Sequence, residues 1–175
     1  MDRRAAIADA AIALLSSEGS RGLTHRAVDA LLALPKGSTS YYFRTREALL
    51  AAAAARVVAL DRADVDEIGP GLEGMIALLE TWLRPANRPR LIARFELFLM
   101  AARKGPGPLS SSRGGFVRLV EEGLSAAGVP EPSRGAATLI AIYEGLLLDT
   151  MMGSSRGPEE RAEILRRVVG TLGDG

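Results

Sequence analysis

The sequence predicts an all-α protein, and three observations carry that expectation. Apolar residues recur at the spacing of one helical face: Ile7, Ala11, Leu14 and Leu15 near the start, then Leu72, Met75, Ile76, Leu79 and Leu83. Strand-forming composition is scarce: aromatics make up only 5% of residues, and few runs of Val, Ile, Thr and aromatics alternate strictly with polar residues. Glycine and proline clusters then cut the chain into segments of helical rather than strand length.

The first helix is expected from Ile7 to near Gly19, where Gly19-Ser20-Arg21-Gly22 turns the chain. Thr24 suits the N-cap of a second helix, about His25 to Leu32, because its hydroxyl can accept an N–H that the first turn leaves unpaired. Pro35 interrupts, a short third segment spans Lys36 to Phe43, and Thr45 caps a long fourth helix from Arg46 through the alanine tract to about Asp66. Gly69-Pro70-Gly71 ends that run. A fifth helix carries Leu72 to Leu83, Pro85 and Pro89 bracket a break, and a sixth runs from Leu91 to Ala102. Gly105-Pro106-Gly107-Pro108 reads as a loop, and Ser110 to Gly115 as its extension or a weak helix start. Phe116, Leu119, Val120 and Leu124 define a seventh helix that ends at Gly128. Ser133 is placed to cap an eighth, Arg134 to Met152, and Pro158 with Glu159 and Glu160 opens a ninth. The expected domains are residues 1–45 and 46–175, with the helix over 46–66 as connector.

Bulk properties exclude several classes. The chain has 175 residues and no cysteine, so disulfides and thiolate metal sites are impossible. Hydrophobic residues at 47% and charged residues at 25% fit a folded globular chain rather than a disordered one. The apolar-rich run from Leu49 to Leu60 is short and carries Arg56, so no membrane span is expected. The start of the chain lacks an apolar signal-peptide core, and a cytoplasmic location is expected. Net charge is only +1, but residues 1–50 carry a positive excess and the remainder a negative one. A basic end is what a phosphate backbone would meet.

That basic end has a recognisable pattern. Ile7-Ala8-Asp9-Ala10-Ala11 and Gly19 are followed by Leu23-Thr24-His25-Arg26-Ala27-Val28. Leu34-Pro35-Lys36-Gly37-Ser38-Thr39-Ser40-Tyr41-Tyr42-Phe43 and Arg44-Thr45-Arg46-Glu47-Ala48-Leu49 complete it. The block, in order and without a gap, resembles the DNA-binding domain of the TetR family of bacterial transcription regulators. The resemblance implies a three-helix domain with a helix-turn-helix whose second helix enters the major groove of duplex DNA. It implies base contacts from Arg26, Lys36, Gly37, Ser38, Tyr41 and Tyr42, and backbone contacts from Thr24, His25, Thr39, Ser40 and Arg46. Two positions depart from the usual pattern. Ala33 stands where the turn usually has glycine, at a cost of about 1 kcal/mol if the left-handed geometry persists. Ser40 stands where an aromatic is usual.

No catalytic cluster is visible. Gly153-Ser154-Ser155-Arg156-Gly157 matches a serine-nucleophile pattern, but that chemistry needs a preceding strand and a histidine base. A helix precedes it, and the only histidine, His25, belongs to the basic end. The segment reads as an interhelical turn, and the chain is expected to be neither an enzyme nor a holder of a cofactor or metal.

In the second domain Trp82, Phe95, Phe98, Leu99, Phe116, Tyr143 and Leu147 are candidates to line a pocket for a small-molecule effector, or to be plain core. Glu96 and Glu144 are polar within apolar helices and need partners, which a ligand, a water or a second subunit could supply. The eighth helix is apolar over most of its circumference, and the ninth carries a stripe. Ile140, Leu146, Leu148, Met151, Ile164, Leu165, Val168 and Val169 are therefore candidates for a homodimer interface, which the resemblance places on the last two helices. The implied function is a repressor released from a pseudo-palindromic operator by a ligand. An activator with the same DNA site, or a helical small-molecule binding or interaction protein that has lost DNA binding, are the alternatives.

Overall fold

The structure is a computed structural model that describes residues 2–104 and 108–173. Among the described residues it holds nine α-helices, one short 3-10 turn and no strand. The helices are α1 (Arg3–Gly22), α2 (His25–Leu31), α3 (Ser38–Tyr42), α4 (Arg46–Ile68), α5 (Gly71–Leu83), α6 (Arg88–Lys104), α7 (Pro108–Ala126), α8 (Pro132–Met151) and α9 (Pro158–Gly173).

Their ends follow the cap chemistry of the sequence. The Thr24 hydroxyl accepts from the Ala27 N–H and that of Thr45 from the Ala48 N–H, both at 3.1 Å. Gly19 interrupts α1 at φ 67°, and the chain regains one turn before leaving. Two expectations shift. Ser133 does not cap α8; the helix begins at Pro132 behind Glu131, and the Ser133 hydroxyl turns to Glu121 instead. Helix α7 begins at Pro108, well before Phe116, so Ser110 to Gly115 is helical. Gly105, Pro106 and Gly107 of the expected loop lie outside the described residues.

The chain forms two compact units. The first comprises Met1–Arg62 with Ala86–Ser112, the second Ala63–Pro85 with Arg113–Gly175. In the first, Ile7, Ala11 and Leu15 of α1, Val28 of α2, and Leu49, Ala53 and Val57 of α4 are inaccessible to solvent. Each large aliphatic among them contributes about 1.5–3 kcal/mol by leaving water. Helix α6 packs against α1 and adds Ala93 and Leu97 to this core. A boundary near residue 45 does not anticipate that, since it assigns α6 to the second domain. Arg56 pairs with Asp9 (2.7 Å), and Asp61 of α4 meets Arg90 and Arg94 of α6.

In the second unit α5, α8 and α9 pack together around Leu79, Trp82, Leu139, Tyr143, Leu147 and Leu165. Arg161, itself buried, grips Glu80 of α5 through both carboxylate oxygens at 2.7 and 2.6 Å. Arg166 does the same to Glu73 near the surface, at 3.1 and 3.0 Å. Gly153 to Gly157 is the α8–α9 connection with helix on both sides, and Arg156 is paired with Asp149 at 2.5 Å.

Candidate nucleic-acid interface and ligand cavity

Helix α3 has only five residues, too few to be stable alone, so its position must come from outside it. Asp29 on α2 supplies that. The carboxylate is buried, and it accepts the Gly37 N–H (2.8 Å), the Thr39 N–H (2.8 Å) and the Thr39 hydroxyl (2.6 Å). Burial disfavours its charge. The hydrogen bonds from the Thr39 hydroxyl, the Thr39 N–H and the Gly37 N–H, together with nearby His25, outweigh burial and hold the carboxyl below its ordinary value. Gly37 itself sits at φ 92°, a conformation that glycine adopts without strain.

The other braces are equally local. His25 donates its Nε2 proton to the Phe43 carbonyl at 2.6 Å, because a carbonyl can only accept. The Ser38 hydroxyl donates to the Pro35 carbonyl at 2.6 Å. Arg4 of α1 lies over the rings of Tyr42 and Phe43, 5.9 and 5.2 Å from their centroids. Tyr42 is half-buried against the core, and Tyr41 meets it edge-on at 5.2 Å while remaining 81% exposed. Ala33 adopts φ 50°, so the left-handed turn persists without glycine.

These contacts sort the expected DNA-contacting residues. Thr24, Arg26, Lys36, Gly37, Ser40 and Tyr41 are exposed, and His25, Ser38 and Tyr42 are half-buried. Thr39 is fully buried with its hydroxyl committed to Asp29, so it faces the core rather than a phosphate. Arg46 directs its guanidinium to the Leu23 carbonyl (3.3 Å) and the Ser20 carbonyl, satisfying acceptors where α1 ends. Both residues brace the domain from within. Asp29 was missed by the sequence reading; its one signal was an acid beside Val28 in a short apolar stretch.

The pocket candidates divide. Trp82, Phe116 and Tyr143 do meet, with centroids 5.9–6.1 Å apart, and Leu147 is buried one turn from Tyr143. Phe95 and Phe98 pair with each other in the first unit at 6.2 Å, and Leu99 is exposed. Glu96 lies near Gly19 of α1. Glu144 accepts from Arg113 at 2.8 and 3.0 Å, so its partner is within the chain.

A cavity of about 350 Å³ opens beside the aromatic cluster rather than inside it. It is walled by the last turn of α4 (Val65, Ile68), the Gly69–Gly71 turn, α5 (Met75) and α7 (Phe116, Val120, Glu122). Of the pocket candidates only Phe116 lines it. Val169, expected at a dimer interface, lines it too. Ile140, Leu146 and Leu165, also expected there, are buried in the chain's own core. Leu148 is exposed, and Met151, Ile164 and Val168 are half-buried.

Residues 70–173 match the family described as Tetracyclin repressor-like, C-terminal domain. No curated protein matches the chain. Among solved structures, a TetR family member from Streptomyces coelicolor A3 superposes with a TM-score of 0.81 at 27% identity, over 96% of this chain and 98% of that one. A transcriptional regulator from Rhodococcus sp. Rha1 shares the fold at TM-score 0.79 and 23% identity, covering 97% and 95%. The multidrug binding protein EbrR complexed with malachite green gives 0.72 at 25% identity, covering 96% and 98%. The chain belongs to the TetR family of transcription regulators. Among the described residues, no helix is long and apolar enough to cross a membrane.

Proposed function

We propose that this chain is a repressor that binds a pseudo-palindromic operator as a homodimer and leaves it when a small molecule binds. One observation carries the DNA part. Asp29 locks one face of α3 to α2, while Lys36, Ser40 and Tyr41 stay exposed around it. A short, rigid, polar face with a basic residue at its start suits the major groove. Arg26, Lys36, Gly37, Ser38, Tyr41 and Tyr42 then address bases, and Thr24, His25 and Ser40 the backbone. Thr39 and Arg46 hold the reading head together.

The second copy has a face to meet. Ala137, Ala141, Gly145 and Leu148 are all exposed and fall on one stripe of α8 at spacings of three and four, and the exposed C-cap residue Met152 follows them. A Cβ added at Gly145 would meet nothing within 4 Å, so a partner backbone can approach closely there. Dimerisation through this stripe supplies the two reading heads a palindrome requires.

Ligand control draws on α4. Its first half buries Leu49, Ala53 and Val57 in the first unit, and its last turn lines the cavity with Val65 and Ile68. A ligand that binds the non-DNA-binding arrangement more tightly shifts the population towards it. The similarity to EbrR, a multidrug binding protein complexed with malachite green, supports a small molecule as the ligand. Mobility shifts with the duplex upstream of the protein's own gene test the reading. Salt-sensitive binding is expected, weakening steeply between about 50 and 200 mM salt. Absence of such binding to any duplex, with or without ligand, refutes it.

A further inference from the structure

The cavity walls limit what can occupy them. Twelve side chains of its lining are Val, Ile, Leu, Met, Phe or Ala, and the remainder are four glycines, one proline and Glu122. Among the described residues, no hydroxyl, amide, imidazole, ammonium or guanidinium side chain lines the cavity. A carboxylate or phosphate on a ligand would lose its water with no donor side chain to replace it, only the backbone N–H groups at the start of α5, and would stand beside a like charge. Glu122 is exposed, so its charge stands at the solvent mouth rather than in the depth. An apolar body in the cavity with one positive charge held at the mouth keeps that charge hydrated and places it beside an opposite one.

We infer that the effector of this cavity is a lipophilic cation, an apolar body of at most drug-like size with a single cationic group that Glu122 meets at the entrance. This rests on the ligand-controlled reading of the same cavity. A volume near 350 Å³ is at the small end of ligand pockets, which limits the body to one compact ring system or an alkyl chain. Glu122 is thus a charge-selecting residue and the aliphatic walls supply the affinity.

Three probes with one tail and different heads test it: octyltrimethylammonium, 1-octanol and octanoate, each below its micelle concentration. Trp82, the only tryptophan, stacks near Phe116, whose ring lines the cavity, so its fluorescence reports occupancy without DNA. The cation should bind about threefold tighter than the alcohol, as a partly solvated opposite charge allows, and the anion weakest. Glu122→Gln should remove the cation's advantage and leave the alcohol unchanged. Gly123→Leu should weaken binding of all three, since Gly123 lines the cavity and a Cβ there meets nothing within 4 Å, so the larger side chain is tolerated by α7. Octanoate binding as tightly as the cation, or a cation preference that survives Glu122→Gln, overturns the assignment of charge. Binding unaffected by Gly123→Leu, or none by any probe, overturns the site. These readouts are independent of operator binding, so their failure with DNA binding intact leaves the regulator reading standing.

Discussion

Replacing Asp29 by alanine removes the acceptor for three hydrogen bonds at once, and the cost follows from which donors can find water. Gly37 is exposed, so its N–H can be rehydrated. Thr39 is fully buried, which leaves its N–H and hydroxyl orphaned. At about 1–3 kcal/mol for each orphaned buried group, with some relaxation, the loss should be about 3 kcal/mol. For a chain of this length that lowers Tm by roughly 6–12 °C. DNA affinity should fall at least about tenfold, since only molecules with α3 docked can bind. Urea unfolding followed by circular dichroism and a mobility shift measure the two effects.

The decisive variant is Asp29→Ala with Thr39→Leu. Thr39→Leu eliminates the orphaned hydroxyl but leaves the backbone N–H of position 39 without its acceptor, so about half of the lost stability should return. Protonation offers a third check. The folded carboxyl titrates below its ordinary value, so its contribution is complete above the unfolded value of about 4 and is lost as pH falls through the folded one. The difference between wild type and Asp29→Asn should therefore be constant at neutral pH and shrink in the acid range below about pH 4. An Asp29→Ala cost under about 0.5 kcal/mol, or a double variant no better than the single one, would refute the reasoning.

Ala33→Gly should stabilise the chain by about 1 kcal/mol and raise Tm by about 2–4 °C, because the left-handed turn at φ 50° strains any Cβ. Gly74→Ala should destabilise by about 2 kcal/mol although alanine favours helices, since its Cβ would collide with the Gly69 backbone carbonyl; thermal melts read both. Gly145→Arg should leave the fold intact and shift sedimentation from dimer to monomer, because its Cβ opens into free space on the α8 stripe.

Local chemistry made much of the fold legible. Thr24 and Thr45 are caps because a threonine before a helical stripe has an acceptor at the right place. The break at Gly19 and the turn at Ala33 were visible in the same way. What a stripe cannot reveal is its partner. Phe95, Phe98 and Leu99 marked α6 as apolar, but not that Leu91, Ala93 and Leu97 would be its buried residues or that α1 would pack against it. Apolar residues cover most of the circumference of α8 from Leu139 to Met151, so periodicity could not separate Ile140, buried in its own core, from Ala141 and Leu148 on the outer stripe. In the reading head, Thr39 looked like its serine neighbours. Only the register of a five-residue helix sends its side chain inward to Asp29 while Ser40 and Tyr41 face out. The aromatic cluster was anticipated, but aromatics pack densely. The void lies beside them, where Gly69, Gly71 and Gly123 leave space.

Whether that void regulates anything is a question of linkage, and linkage makes a quantitative demand. Burying an eight-carbon chain is worth about 6 kcal/mol in total. Moving a population from 1:99 to 99:1 requires about 5.5 kcal/mol of difference between two states. Nearly all of the apolar affinity would have to be state-dependent, so the cavity must largely close in the DNA-binding arrangement. Gly69 and Gly71, both at φ 91°, are the backbone elements best able to reshape the wall formed by the end of α4 and the start of α5. The expected result is that saturating operator DNA weakens octyltrimethylammonium binding by the same factor by which that cation weakens operator binding, measured by Trp82 fluorescence and mobility shift at one salt concentration. Linkage requires the two factors to be equal at equilibrium, so it is their size that tests the coupling. Two factors of one would mean that the cavity has no purchase on the reading head.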